Sequence, residues 1–231
     1  LALSVSLLAG CGSTAASPVS SAASTAAEST TSSVVSETTS AAADENVAAA
    51  AQLLNDLTGS YQELWPVILA DEYQQTWLDD CTALVGEENA EAAFEKLSSM
   101  VTGDAYFCGF TNDLATLTFD GETSTISGTD KDGNELFSHT YHYIGMEPVR
   151  GLYEFESDDA DSGEFTYFFL APDTSAETYH IEFRYGSDAD ALSQYDAGDY
   201  AYWLASGIST DCDQTMIDNC IELFCTENLA G

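Results

Sequence analysis

Between residues 46 and 100 the apolar positions recur at helical spacing. Val47, Ala51 and Leu54 form one such set, and Phe94, Leu97 and Val101 another. Gly59 interrupts them, and the segment from Tyr61 to Leu69 is densely aromatic and aliphatic, continuing through Tyr73 and Trp77. Pro66 suits a first helical turn, where its missing N–H leaves no bond unmade. This stretch predicts two to four helices packed on a sheet. From residue 105 to 185 the period switches to two. Leu117 and Phe119 alternate into Asp120-Gly121, a hairpin signal, with Ile126 on the return strand; Asp132-Gly133 is a second turn. Further strands are predicted over 136–144, 152–156, 165–171 and 178–185, separated by loops over 145–151 and 157–163. Ser187 can cap a helix running through Leu192 and Tyr195, and a last helix over 213–228 carries Ile217, Ile221, Phe224 and Cys225 on one stripe. Short strands joined by tight turns argue for an antiparallel meander, and a meander this long removes its edges most simply by closing into a barrel. The expected fold is therefore mainly β with added helices.

The chain begins Leu-Ala-Leu-Ser-Val-Ser-Leu-Leu-Ala-Gly-Cys. That run is too short to span a bilayer as a helix and looks like the apolar part of an export signal. Leu8-Ala9-Gly10-Cys11 resembles a bacterial lipobox, which makes Cys11 the expected lipidation site and places the protein on the outer face of the cytoplasmic membrane. Residues 12–45 are Ser, Thr, Ala and Val with a few acids and no aromatic residue. Such a segment buries too little surface to offset its ordering entropy, so a disordered tether is expected there. Residues 46–231 are the expected folded domain.

Charge narrows the partners. The chain has 40 acidic and 4 basic residues, the latter being Lys96, Lys131, Arg150 and Arg184. Four of the acids (Glu28, Glu37, Asp44 and Glu45) fall within 12–45, so the charge belongs to the domain and not to the tether. This surface repels nucleic acid and anionic lipid and concentrates cations. Membrane contact is expected only through the N-terminal anchor. The 12 Tyr and 11 Phe exclude a disordered acidic protein and call for a real core.

Catalytic chemistry finds little support. Gly-x-Ser-x-Gly and Gly-rich phosphate loops are absent from the sequence, and nothing singles out one pair among its many carboxylates. The chain is not expected to be an enzyme. Asp158-Asp159-Ala-Asp161-Ser-Gly163-Glu164 has the composition of a calcium loop without EF-hand spacing, and a solvated acidic turn is the simpler reading. If Cys11 is lipidated, five cysteines remain, so at least one is a free thiol. No Cys-x-x-Cys occurs, and Cys220 and Cys225 fit the apolar stripe as small core residues.

The candidate chemistry is a cation site. In the strand predicted over 178–185, His180 and Glu182 share a face with Arg184, and Tyr179, Ile181, Phe183 and Tyr185 take the other. An imidazole and a carboxylate two residues apart can hold one small cation, and both suit Zn²⁺. The remaining histidines, His139 and His142, lie three apart on a predicted strand and point to opposite faces. His142 shares the less apolar face and is preferred as the partner of His180; His139 sits with Phe137, Tyr141 and Tyr143 as a core or interface histidine, and one bulge would exchange them.

The segment from His180 to Asp188, His-Ile-Glu-Phe-Arg-Tyr-Gly-Ser-Asp, resembles the metal-binding strand of the ZinT family, which reads His-x-His followed by Gly and Asp. Leu57 to Pro66 is similar to that family's opening segment, Tyr141 to Gly145 and Leu152 to Phe155 to its middle strands, and Ala201-Tyr-Trp203 to its aromatic helix. The resemblance covers most of 57–229 with gaps. It implies a calycin-like (lipocalin-type) barrel flanked by N- and C-terminal helices, as also found at the C-terminus of zinc-uptake lipoproteins of the AdcA type. It implies Zn²⁺ or Cd²⁺ binding outside the cell and a zinc ABC transporter as partner. The family's three histidine ligands map onto His180, onto Glu182, and onto Phe168 before Ala171-Pro172, where no ligand is possible. The expected metal residues are thus His180 and Glu182, with His142 or His139 taking the lost role. The alternative is a calycin barrel that has lost its metal and holds a small organic ligand among Tyr141, Tyr153, Tyr167 and Trp203.

Overall fold

The structure is a computed structural model that describes residues 45–102 and 106–230. The lipobox cysteine Cys11 and all of the 12–45 segment except Glu45 lie outside the described residues. Residues Asn46–Gly231 form one compact unit.

Eight antiparallel strands close into a barrel in simple sequence order. They are β1 (Gly59–Glu63), β2 (Thr116–Asp120), β3 (Thr125–Thr129), β4 (Glu135–Met146), β5 (Tyr153–Ser157), β6 (Tyr167–Leu170), β7 (Ile181–Gly186) and β8 (Ala205–Ser209). Strand β4 shows why period two predicts it: Phe137 and Tyr141 are buried, and Ser138, Thr140 and His142 between and beside them are exposed. Facing inward with them are Leu117, Phe119, Ile126, Phe155, Phe168, Leu170, Ile181, Phe183 and Tyr185, which fill the barrel with side chains. The helix α1 over 45–56 adds Ala50, Leu53 and Leu54 to this core, with Leu57 just beyond it. Its inward stripe is thus shifted from the predicted one, and Val47 is exposed.

Closure rests on strands the sequence pattern does not single out. Strand β1 has one fully buried residue, Tyr61, and falls where helix was expected. Strand β8, Ala-Ser-Gly-Ile-Ser, reads as punctuation around Gly207. They meet through Tyr61↔Ser209, Gln62↔Ile208 and Glu63↔Gly207.

A second apolar layer covers the outside of the barrel at this seam. It joins α2 (Leu64–Ile68), α3 (Gln74–Val85), α4 (Glu87–Thr102) and α7 (Gln214–Leu229) through Leu64, Ile68, Trp77, Cys81, Leu97, Ile217, Ile221 and Cys225. The Trp77 indole donates to the Ile68 carbonyl at 2.7 Å, which satisfies its only polar atom inside the layer. Asp213 caps α7 by accepting from the Met216 N–H. The helix predicted from Ser187 to Tyr195 is shorter: Asp188 caps it, and α6 spans only Ala189–Leu192.

Candidate metal centre

His180 precedes β7 and does not belong to it. The helix α5 (Ser175–Thr178) ends in Tyr179, whose left-handed backbone (φ 66°) turns the chain into the strand. The predicted alternation therefore begins at Ile181. Even so, His180 and Glu182 emerge on one side: His180 Nε2 lies 3.9 Å from Glu182 Oε1. The ring is buried (7% exposed) and tilted against Phe224 of α7, with ring centres 5.1 Å apart. Its Nδ1 lies 2.8 Å from the Thr178 carbonyl oxygen. A carbonyl only accepts, so Nδ1 carries the proton, and in the neutral ring Nε2 holds a free lone pair facing Glu182. This is the arrangement that orients a ligating imidazole.

Glu182 is only partly buried and keeps 37% of its side-chain surface. Burial raises its carboxyl above the ordinary range. The His180 ring opposes that shift, Asp173 and Glu227 add to it, and Arg150 opposes it. The thiol of the buried Cys108 is pushed up to about 12, by burial first and by Glu182 next. It remains protonated at neutral pH and offers no thiolate.

The other two histidines stand apart from this pair. His142 lies on β4, which β5 and β6 separate from β7, a distance of about 14 Å across the sheet. Its Nδ1 is 2.7 Å from Asp158 Oδ1, and its Nε2 is 3.9 Å from Glu156 Oε2. His139 pairs in register with the inward Ile126, packs beside Phe137, and brings Nδ1 to 2.8 Å from Asp159 Oδ2. Both histidines thus engage the acidic loop after β5, and neither joins His180. Among the described residues no group of three or more His, Cys, Asp or Glu side chains could hold a metal ion.

Phe168, the position aligned with a family ligand, pairs with Tyr185 and is fully buried inside the barrel, on the face opposite His180 and Glu182. The residue beside Glu182 is Ala171, just after β6, whose N–H donates to the Glu182 carbonyl at 2.9 Å. Of the four aromatic residues expected to line an organic-ligand pocket, Tyr141 and Trp203 are buried in the barrel core and Tyr153, paired with Leu170, packs against it, whereas Tyr167 bonds Glu156 across the barrel's outer face. A recess of about 370 Å³ is lined by Glu63, Trp65, Leu69, Phe107 and Cys108 among others.

A buried cluster without a sequence signal lies on the outer face of β6 and β7. Arg184 is fully buried, donates to the carbonyls of Leu192 and Tyr200, and stacks on Tyr195. The carboxylate of the buried Glu147 accepts the N–H groups of Val149 and Arg150, each at 2.6 Å.

No protein-family model matches the sequence, and no curated protein matches it. Solved structures do match the fold. The crystal structure of the Zn(II)-bound ZinT-like domain of Streptococcus pneumoniae AdcA superposes with a TM-score of 0.50 at 17% identity, covering 74% of this chain and 89% of that domain. The Zn(II)-bound AdcA from the same organism gives 0.47 at 16% identity, with 72% of this chain matching 34% of that longer protein. Eight antiparallel strands closed in sequence order, with helices before and after them, thus give this chain a ZinT-like fold of the calycin type.

Proposed function

We propose that this protein binds a divalent metal ion, with zinc the favoured cation, through His180 and Glu182. The observation that carries this reading is the His180 ring, held by the Thr178 carbonyl with Nε2 facing a carboxylate 3.9 Å away. At ordinary Zn–N and Zn–O bond lengths a tetrahedral angle asks for a separation of about 3.4 Å, so the pair needs to close by only about 0.5 Å. Two protein ligands leave two positions for water. The surrounding acids, Asp173 and Glu227 foremost, favour a cation there over an anion. The Zn(II)-bound state of the similar AdcA domain supports zinc as the cation to test first.

The N-terminal sequence supports the remainder of the reading. A lipid anchor at Cys11 would hold the domain on the outer face of the cytoplasmic membrane of a bacterium, where metal capture for a zinc ABC transporter is the fitting role. The direct test is elemental analysis and calorimetric zinc titration of the full chain beside His180→Ala. Stoichiometric zinc that is lost in the variant is the expected result. An unchanged affinity in His180→Ala would remove this site.

A further inference from the structure

Two cysteines meet in the apolar layer outside the barrel. Cys81 of α3 and Cys225 of α7 are both fully buried, and their sulfurs lie 3.8 Å apart although 144 positions separate them in the chain. All five described cysteines are free thiols. We propose that Cys81 and Cys225 form a disulfide when the chain folds in contact with a disulfide-bearing oxidant.

The geometry requires little. A disulfide sets its sulfurs about 2.05 Å apart, so this pair must approach by a further ~1.8 Å, within reach of a side-chain rotation at one or both residues. Placement gives the bond a role. Strand β1 leads through α2 into α3, and β8 leads directly into α7. The bond would therefore tie together the two helices that follow the two closing strands, across a seam held by three residue pairs. A covalent tie spanning that much chain removes conformations from the unfolded state that the closure must otherwise overcome.

The chemistry is thiol–disulfide exchange. The Cys81 thiolate attacks one sulfur of an external disulfide and expels one thiolate, forming a mixed disulfide. The Cys225 thiolate then attacks the Cys81 sulfur and expels the second. Two protein thiols are oxidised, one external disulfide is reduced to two thiols, and the cysteine protons pass to the expelled thiolates and solvent. Burial raises both thiols above their ordinary values. Exchange therefore belongs to folding, before the helices close over the sulfurs, and the finished bond is shielded from reductant.

The test is to unfold and reduce the full chain, then refold it in a glutathione–glutathione disulfide buffer. Free thiols are blocked after acid quenching, and the digest is mapped by mass spectrometry without reduction. One linked peptide pair containing Cys81 and Cys225 is expected, with Cys108, Cys212 and Cys220 alkylated. The unfolding midpoint of the oxidised protein should drop by on the order of 10 °C when reductant is added during denaturation. In Cys225→Ala, refolded identically, reductant should leave the midpoint unchanged. Alkylation of both Cys81 and Cys225 in the refolded wild type would overturn the proposal, as would a link from either to another cysteine. The peptide map decides between these outcomes even if the variant fails to fold.

Discussion

Arg184 holds its guanidinium 4.3 Å from the centre of the Tyr195 ring, and Arg150 stands at the same distance from it. Two of the four basic residues of a chain with 40 acids thus share one aromatic ring. Among the described residues no carboxylate lies within ion-pair distance of either guanidinium. The ring and the backbone carbonyls of Leu192 and Tyr200 stabilise the buried charge of Arg184 instead. Tyr195→Ala should therefore cost about 2–3 kcal/mol, from the cation–π contacts and the lost packing together. Tyr195→Phe keeps the ring and loses the hydroxyl's 3.4 Å contact with Glu147 and its hydrogen bond with Arg184, and should cost about 1 kcal/mol. Urea unfolding of the two variants measures the difference; equal losses would show that the ring face does not matter.

The orientation of β6 predicts which substitutions can improve a metal site. Phe168→His should leave zinc affinity unchanged and cost about 3 kcal/mol, because it buries an imidazole inside the barrel against Tyr185. Ala171→His places a ring beside Glu182 and should tighten zinc binding by about tenfold. His142→Ala should not alter zinc affinity, since that ring is engaged by Asp158 two strands away from β6. Calorimetric titration of the three variants is the check, and a gain in Phe168→His would mean that metal enters the barrel interior.

Stability should rise as the solution becomes mildly acidic. Asp80 and Glu154 titrate above the ordinary carboxylate range, with burial the largest cause in each. Glu222 and Asp218 add repulsion at Asp80, and Glu147 adds it at Glu154. A carboxyl raised on folding binds its proton more tightly in the native state, so lowering the pH toward those raised values stabilises the fold; that gain is complete only below the unfolded values near 4. The net charge of −36 acts in the same direction through self-repulsion. Tm should be higher at pH 5.5 than at pH 8, and added salt should raise it at pH 8. A Tm that falls steadily over that pH interval would contradict this account.

The seam between β1 and β8 is tightly fitted at Gly207, which pairs with Glu63 on one side and Ile181 on the other. A methyl group added there would meet Ile181 Cγ1 at 3.1 Å and Tyr61 Cβ at 3.3 Å. Gly207→Ala should cost about 1–2 kcal/mol, read as a lower urea midpoint with an unchanged slope. A neutral substitution would show that the closing strands have room to separate.

Much of this architecture is legible along the chain because it depends on local pattern. Strict alternation in β4 and the turns after Asp120 and Asp132 place the central meander. The apolar stripe of Ile217, Ile221 and Cys225 places the last helix. The pairing of His180 with Glu182 also follows from spacing, and it survives the left-handed turn at Tyr179 that removes His180 from the strand. Elsewhere pattern misleads. Val47 lies on the predicted stripe of α1 yet faces outward, because the barrel end that α1 covers selects Ala50, Leu53 and Leu54.

The sequence by itself determined the period-two meander, the helices on either side of it, the excess of acids and the local His180–Glu182 pair, since each depends on residues a few positions apart. Only the tertiary structure decided that β1 joins β8, that Phe168 turns away from the candidate site, that His139 and His142 serve the Asp158–Asp159 loop, and that Cys81 meets Cys225. Those relationships join residues far apart in the chain, and their partners are set by barrel closure and by which face each strand turns inward, neither of which a short window of residues encodes.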